Sequence, residues 1–229
     1  ISEAIILIIF TIIVYSFDIS GVGDTSHLTI EEDKEKLSYL FSKITIIRIL
    51  ILVFFFIFFL ILSFFTDNLI VKLTLFWFLF PLSYVLQSSY LFQGLEKNYD
   101  AVCFILFSRL ITVYVIYSYI NENSDSYLVP LVIGISYFLG SISILLYILF
   151  KYKLSFVTIS VDEIKATLKE GKEIFFGNTS VLLFRGSNIF ILSLLNENTL
   201  LLSAYSLAEK YIKSTQALIS PINQFFFPK

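Results

Sequence analysis

The sequence predicts an all-α, polytopic membrane bundle of about seven transmembrane helices, and three observations predict it. The chain is 57% hydrophobic and only 15% charged over its 229 residues, with a mean hydropathy of +0.86. Apolar segments of membrane-crossing length recur along the whole chain, separated by short polar stretches. The basic residues alternate between those stretches. The loops at 18–43, 96–100 and 151–173 hold nine lysines: Lys34, Lys36, Lys43, Lys97, Lys151, Lys153, Lys165, Lys169 and Lys172. The intervening loops at 66–72, 121–126 and 196–199 hold only Lys72. Positive charge concentrates in cytoplasmic loops, so the first set reads as cytoplasmic and the second as outward-facing.

The first segment is Ala4 to Phe17. A polar loop, Asp18 to Lys43, follows, and its charged centre Ile30 to Lys36 leads into Leu37, Leu40 and Phe41 at helical spacing. That spacing predicts a short surface helix. Segment two, Ile44 to Phe65, is too long and too apolar for an ordinary core helix. Its Arg48 lies one turn in, where it reads as an interfacial anchor that snorkels back to the membrane surface. Segment three, Leu73 to Leu95, is uncharged, with a kink expected at Pro81.

Segment four is Ala101 to Ile120; Tyr114, Tyr117 and Tyr119 crowd its far end as an aromatic belt does. An acidic turn with Glu122 and Asp125 leads to segment five, Tyr127 to Phe150, where Ser136 and Gly140 offer a small-residue contact surface. In the basic stretch 151–173, Val161, Ile164 and Leu168 form a weakly amphipathic stripe, expected as an interfacial helix. Segment six then runs from Ile174 to Asn196, and segment seven starts at Thr199.

Composition narrows the function. A net charge of −2 gives no electrostatic footprint for nucleic acid. One cysteine, Cys103, excludes an intrachain disulfide. One histidine, His27, and no paired-cysteine spacing leave no metal site and no histidine triad in view, so no cofactor is expected. The chain has no methionine and opens inside an apolar run, so it reads as a piece of a longer protein.

The charges inside the apolar segments carry the functional signal. Arg185 has eleven uncharged residues on each side, and Glu209 and Lys210 lie as deep in segment seven. As antiparallel helices at 1.5 Å per residue, both segments place a cation about 16 Å deep, near the middle of a hydrocarbon core about 30 Å thick. Charges at that depth face a bundle interior, pair, or line a polar cavity. Arg185 therefore reads as a ligand for an anionic group, since a guanidinium stays charged and forks onto phosphate oxygens; the competing reading pairs it with Glu209 for packing. Glu209 and Lys213 are four apart and can pair along one helix face, which leaves Lys210 for a cavity beside Arg185. Glu209 is the one acid placed deep inside a complete segment, so it is the candidate for ion coupling, against a structural ion pair. Arg109, about 12 Å into segment four, either joins the cavity or snorkels. Tyr84, Tyr137 and Tyr147 can stack on sugars or simply pack. Pro221 and Pro228 read as kinks.

Two motifs carry a resemblance. Tyr205-Ser206-Leu207-Ala208-Glu209-Lys210, followed by Ser220-Pro221-Ile222-Asn223-Gln224 and Phe227-Pro228, resembles the pattern of bacterial polysaccharide transporters, the Wzx-type flippases of lipid-linked O-antigen and capsule repeat units. Phe92-Gln93-Gly94-Leu95-Glu96-Lys97 is a second match, in the right order. The sequence departs from the family where Gly21 to His27 replaces an arginine-bearing turn and where Tyr90 replaces a tryptophan. At Gln93 to Lys97 the bland reading is a helix C-terminus, with Gly94 relieving the backbone and Lys97 facing the dipole.

The resemblance implies a parent of two pseudo-symmetric bundles around a central cavity, of which this chain holds about the second through the eighth helix. It divides the chain into 1–150, part of the N-terminal lobe; 151–173, a cytoplasmic connector; and 174–229, the start of the C-terminal lobe. It implies flipping of an undecaprenyl-diphosphate-linked oligosaccharide across the bacterial cytoplasmic membrane, with Arg185, Lys210 and Arg109 as substrate ligands. The implied partners are that lipid-linked oligosaccharide, the bilayer and other polysaccharide-assembly membrane proteins. A sister exporter of drugs or of a peptidoglycan precursor shares the architecture, but cationic cavity residues argue against the first and their small number against the second. A polytopic enzyme of polysaccharide synthesis needs longer loops than these. A scaffold would leave Arg185 and Lys210 without a reason.

Overall fold

The computed structural model describes residues 1–120, 127–186, 188–195 and 198–226, without the side chains at 182, 183, 185, 186, 199 and 217–226. The acidic turn at 121–126, most of the turn after segment six and Pro228 lie outside these residues, as do the side chains of Arg185 and Pro221. Among the described residues the chain folds into eleven helices.

The first crossing is α1 (Ser2–Val14) and α2 (Phe17–Thr25), which together make one apolar span, Ser2–Thr25. Asp18 and Gly21 to Thr25, expected in a loop, are therefore helical. Gly21 survives in a helix because α2 is pressed against α6: a methyl group there would stand 2.8 Å from the Tyr90 ring. Between α1 and α2, Tyr15 adopts φ 53°, ψ −129°, a strained conformation for a side chain with a Cβ. Its ring holds it there, stacked on Phe175 at 4.4 Å, while its hydroxyl donates to the Leu168 carbonyl at 2.5 Å.

The expected surface helix and segment two are one helix, α3 (Lys34–Phe65), 32 residues long. Leu37 and Phe41 are fully buried in it, so the stripe faces protein and not a membrane surface. Segment three is broken twice, into α4 (Leu69–Trp77), α5 (Leu79–Gln87) and α6 (Ser89–Gly94). Pro81 explains the first break: it has no N–H to return to the Trp77 carbonyl four residues back. The second break is at Ser88, in the left-handed conformation. After α6 the chain turns through Glu96 at φ 56°, with Lys97 N–H on the Phe92 carbonyl at 2.9 Å and Glu96 N–H on the Gln93 carbonyl at 3.2 Å. That is a Schellman stop, and its left-handed residue is Glu96, not Gly94. Gly94 instead admits Thr25, whose side chain occupies the space a Cβ would need. Lys97 sits over the Tyr152 ring at 5.9 Å.

Segments four and five are α7 (Asn98–Tyr119) and α8 (Val129–Lys151). They pack through small residues as expected: Ser136 is buried, and a methyl group on Gly140 would come within 2.7 Å of Ser108 Cβ. The chain then runs extended along α3, with the N–H groups of Ser155 and Val157 donating to Ser38 and Ser42. A capping box opens α9 (Val161–Gly186): Glu163 N–H bonds to Ser160 Oγ, and Ser160 N–H returns to the Glu163 carboxylate at 2.7 Å. These Ser160 donors, with the Tyr39 hydroxyl, hold the Glu163 carboxyl down at about 2. Two helices follow, α10 (Asn188–Leu195) and α11 (Thr199–Phe226).

Five spans are long and apolar enough to cross a membrane among the described residues: Ser2–Thr25, Lys34–Phe65, Leu69–Gly94, Asn98–Tyr119 and Val129–Lys151. The segments expected as the sixth and seventh crossings are helical but not among these five. The outer faces of α3 and α7 expose Phe54, Phe58 and Phe64, and Phe107, Leu110 and Val113. So much contiguous apolar surface suits lipid, not water. The protein is a multi-pass, all-helical membrane bundle. Among the described residues, buried hydrophobic side chains gather in two clusters, one around Phe41, Ile47, Leu91 and Ile148, the other around Ile6, Ile13, Leu52 and Trp77.

Candidate functional site

Helix α11 presents its charges toward α1. Lys210 Nζ donates to Glu3 Oε2 at 2.8 Å, and Lys213 pairs with Glu209 at 2.6 Å one turn along the same helix. The second Glu209 oxygen, Oε2, is buried and without a hydrogen-bond partner among the described residues. Glu3, from the first turn of α1, is the member of this constellation that sequence reasoning missed. Its signal was an acid at the edge of an apolar run, which reads as a helix-end charge until α11 is placed beside it.

Two clefts meet at Lys210. The larger, of about 460 Å³, lies between α1, α4, α10 and α11 and includes Ile70, Leu73, Ser193, Ser206 and Lys210. The smaller, of about 200 Å³, includes Glu3, Leu7, Ser206, Glu209 and Lys213. Ser206 and Lys210, one turn apart, border both. The larger is lined mostly by apolar side chains with the Lys210 ammonium and serine hydroxyls, and the smaller adds the Lys213 ammonium and the carboxylates of Glu3 and Glu209. An apolar wall beside the Lys210 ammonium matches the chemistry of a ligand with an anionic group and an apolar body. Arg185 belongs to α9 by its backbone; its side chain lies outside the described residues.

Arg109 stands apart from this cleft. Its guanidinium carbon lies 3.3 Å from the centre of the Tyr137 ring, between α7 and α8. It is flanked along α7 by the exposed Leu106, Leu110 and Val113. The tyrosines weighed as sugar platforms are committed to protein contacts: Tyr84 edge-on to Phe10, Tyr137 against Phe80, Tyr147 against Tyr152.

A second charged centre lies inside the first bundle. Arg48 is 0% exposed and donates through Nη2 to Asp18 Oδ1 at 2.7 Å. Tyr84 donates to the other Asp18 oxygen at 2.6 Å. The rings of Phe17, Tyr84 and Tyr90 surround the guanidinium at 5.4–5.7 Å. Arg48 is thus no interfacial anchor. Its side chain turns inward onto Asp18 and the rings of Phe17, Tyr84 and Tyr90, where α2, α3, α5 and α6 meet, and not outward to the surface. Asp18, expected in a loop, lies inside the first span, so a second acid besides Glu209 stands within an apolar helix. The Asp18 side chain is 38% exposed, so the pair opens to the surface on its acidic side.

A family model described as "Polysaccharide biosynthesis protein" matches residues 4–229. The comparison with curated proteins found no match, and neither did the comparison with solved structures.

Proposed function

The chain belongs to the polysaccharide biosynthesis protein family, and from that premise we propose that it flips an undecaprenyl-diphosphate-linked oligosaccharide from the cytoplasmic to the outer leaflet of a bacterial cytoplasmic membrane. The observation that carries this reading is the family match across residues 4–229 of a chain whose described residues hold five apolar spans. The cleft at Lys210 supports it: a cation at one end of a largely apolar wall suits a diphosphate joined to a lipid. Lys210 and Arg185 would hold the diphosphate, with the polyprenyl chain left in the bilayer. No bond in the substrate is made or broken, so the work is transport and not catalysis. The mechanism is alternating access, in which helices before and after the 151–173 connector rock against each other.

The test uses the full-length protein in a bacterium lacking its own flippase. Surface polysaccharide and stranded lipid-linked repeat unit are quantified for the unaltered protein and for Arg185→Ala. The unaltered protein restores surface polymer, and Arg185→Ala at equal protein level strands the repeat unit. Normal export by Arg185→Ala would remove Arg185 from the substrate site. No rescue by the unaltered protein with any matched repeat unit would overturn the flippase reading itself.

A further inference from the structure

Helix α1 is the seam of the molecule. It packs on α3, α4 and α5, and also on α9 and α10 of the later part of the chain. Its two ends meet that later part in different ways. At the Tyr15 end the contact is close and apolar. Tyr15 stacks on Phe175 and bonds to the Leu168 carbonyl, and Gly171 admits the Ser16 side chain where a Cβ would collide. About 18 Å along the helix, twelve residues away, α11 meets it through the ion pair Glu3–Lys210. Its side chains are 39% and 57% exposed, and both border the 200 Å³ cleft. A tight apolar contact holds position, whereas an exposed ion pair is weak and exchanges readily for a better anion.

The charges on α11 make the exchange selective. Lys213 has its own partner in Glu209, on the same helix. Among the described residues Lys210 has its partner across the seam, and of the two lysines it is Lys210 that borders the larger cleft as well. We propose that Glu3 is the resting counter-ion of Lys210 and that the diphosphate of an incoming lipid-linked substrate displaces it, so that loading breaks the Glu3–Lys210 tie between α1 and α11 while the Tyr15 end stays as the hinge. This rests on the reading of Lys210 as a diphosphate ligand. Glu3 is then a gatekeeper: it screens Lys210 from weak anions and yields to one that offers several oxygens at once. It touches the ligand's binding group, not the ligand.

The experiment measures binding of farnesyl diphosphate to the purified full-length protein in lipid nanodiscs. Four forms are compared: unaltered, Glu3→Gln, Lys210→Gln and the double variant. Each is first checked for a single symmetric peak in size exclusion and an unchanged melting temperature. Removing the competitor tightens binding about two- to fivefold in Glu3→Gln, the range of one exposed ion pair. Lys210→Gln weakens binding about tenfold, the loss of one charge-assisted contact. In the Lys210→Gln background the Glu3→Gln change has no effect, because Glu3 acts only through Lys210. If Lys210→Gln weakens binding but Glu3→Gln leaves it equal or weaker, the counter-ion proposal fails while the diphosphate reading of Lys210 stands. Equal tightening by Glu3→Gln with and without Lys210 marks a diffuse charge effect and also overturns the proposal. If Lys210→Gln binds as tightly as the unaltered protein, the diphosphate reading of Lys210 falls and the counter-ion proposal with it.

Discussion

Arg48 sets the energetics of the first bundle at the scale of single residues. A guanidinium with no exposed surface is costly unless it is paired, and only Nη2 has a hydrogen-bonded acceptor among the described residues. Asp18 supplies the opposite charge, Tyr84 fixes the carboxylate, and three aromatic rings cover the cation. Removing the acid leaves that cation uncompensated. Asp18→Ala therefore destabilises the protein by about 3 kcal/mol, and Asp18→Leu with Arg48→Met recovers most of the loss. Thermal unfolding in detergent micelles checks both; an unchanged melting temperature in Asp18→Ala would contradict the account. The pair was half legible. Arg48 was visible as a charge in an apolar run, but its burial depended on Asp18 standing on a helix beside it. Asp18 was hidden because Gly21 and Gly23 argue against helix, and the packing of α2 on Tyr90 outweighs that propensity. Lys210 and Glu209 were legible as charges inside an apolar segment, and the Glu209–Lys213 pair was legible from its spacing. Glu3 as a partner was not, since its contact spans 207 positions.

Among the elements, glycines with opposite surroundings separate packing from propensity. Gly94 is buried where α6 meets α2, and Thr25 fills the place of a Cβ. Gly23, two positions from Thr25 on α2, has open space around it. Gly94→Ala forces the helices apart and costs about 2 kcal/mol, as overpacking does. Gly23→Ala stabilises by about 0.5–1 kcal/mol through helix propensity alone. The melting temperatures should move in opposite directions; a like response from both would contradict the packing. The breaks show the same division. The α4–α5 break was legible because Pro81 states its cause in one residue. Those at Tyr15 and Ser88 were not: Tyr15 is held by Phe175 and the Leu168 carbonyl, far along the chain, and no residue type marks the left-handed Ser88. The capping box at Ser160 and Glu163 was present in the sequence as a Ser-x-x-Glu pattern, and the amphipathic stripe beside it drew the reading instead.

For the whole molecule, apolar periodicity and charge were enough for the bundle, because lipid permits few folds besides helices whose backbone groups are satisfied internally. Five of the expected crossings are present as spans with ends shifted by up to ten residues. The segments expected as the last two are helical among the described residues but lie outside these five spans, and α11 carries Glu209, Lys210 and Lys213 within five positions. Those same charges turn a bundle into a transporter in the present account, with α1 joining the helices on either side of the connector. The direct measurement is flipping itself. The purified full-length protein is reconstituted into liposomes with a fluorescent polyprenyl-diphosphate oligosaccharide in both leaflets, and the fraction reached by an added glycosidase is followed in time. The unaltered protein exposes nearly all the labelled lipid, protein-free liposomes about half, and Lys210→Gln approaches the full value about tenfold more slowly. Folded, unaltered protein that exposes no more than the protein-free liposomes would contradict the flippase account.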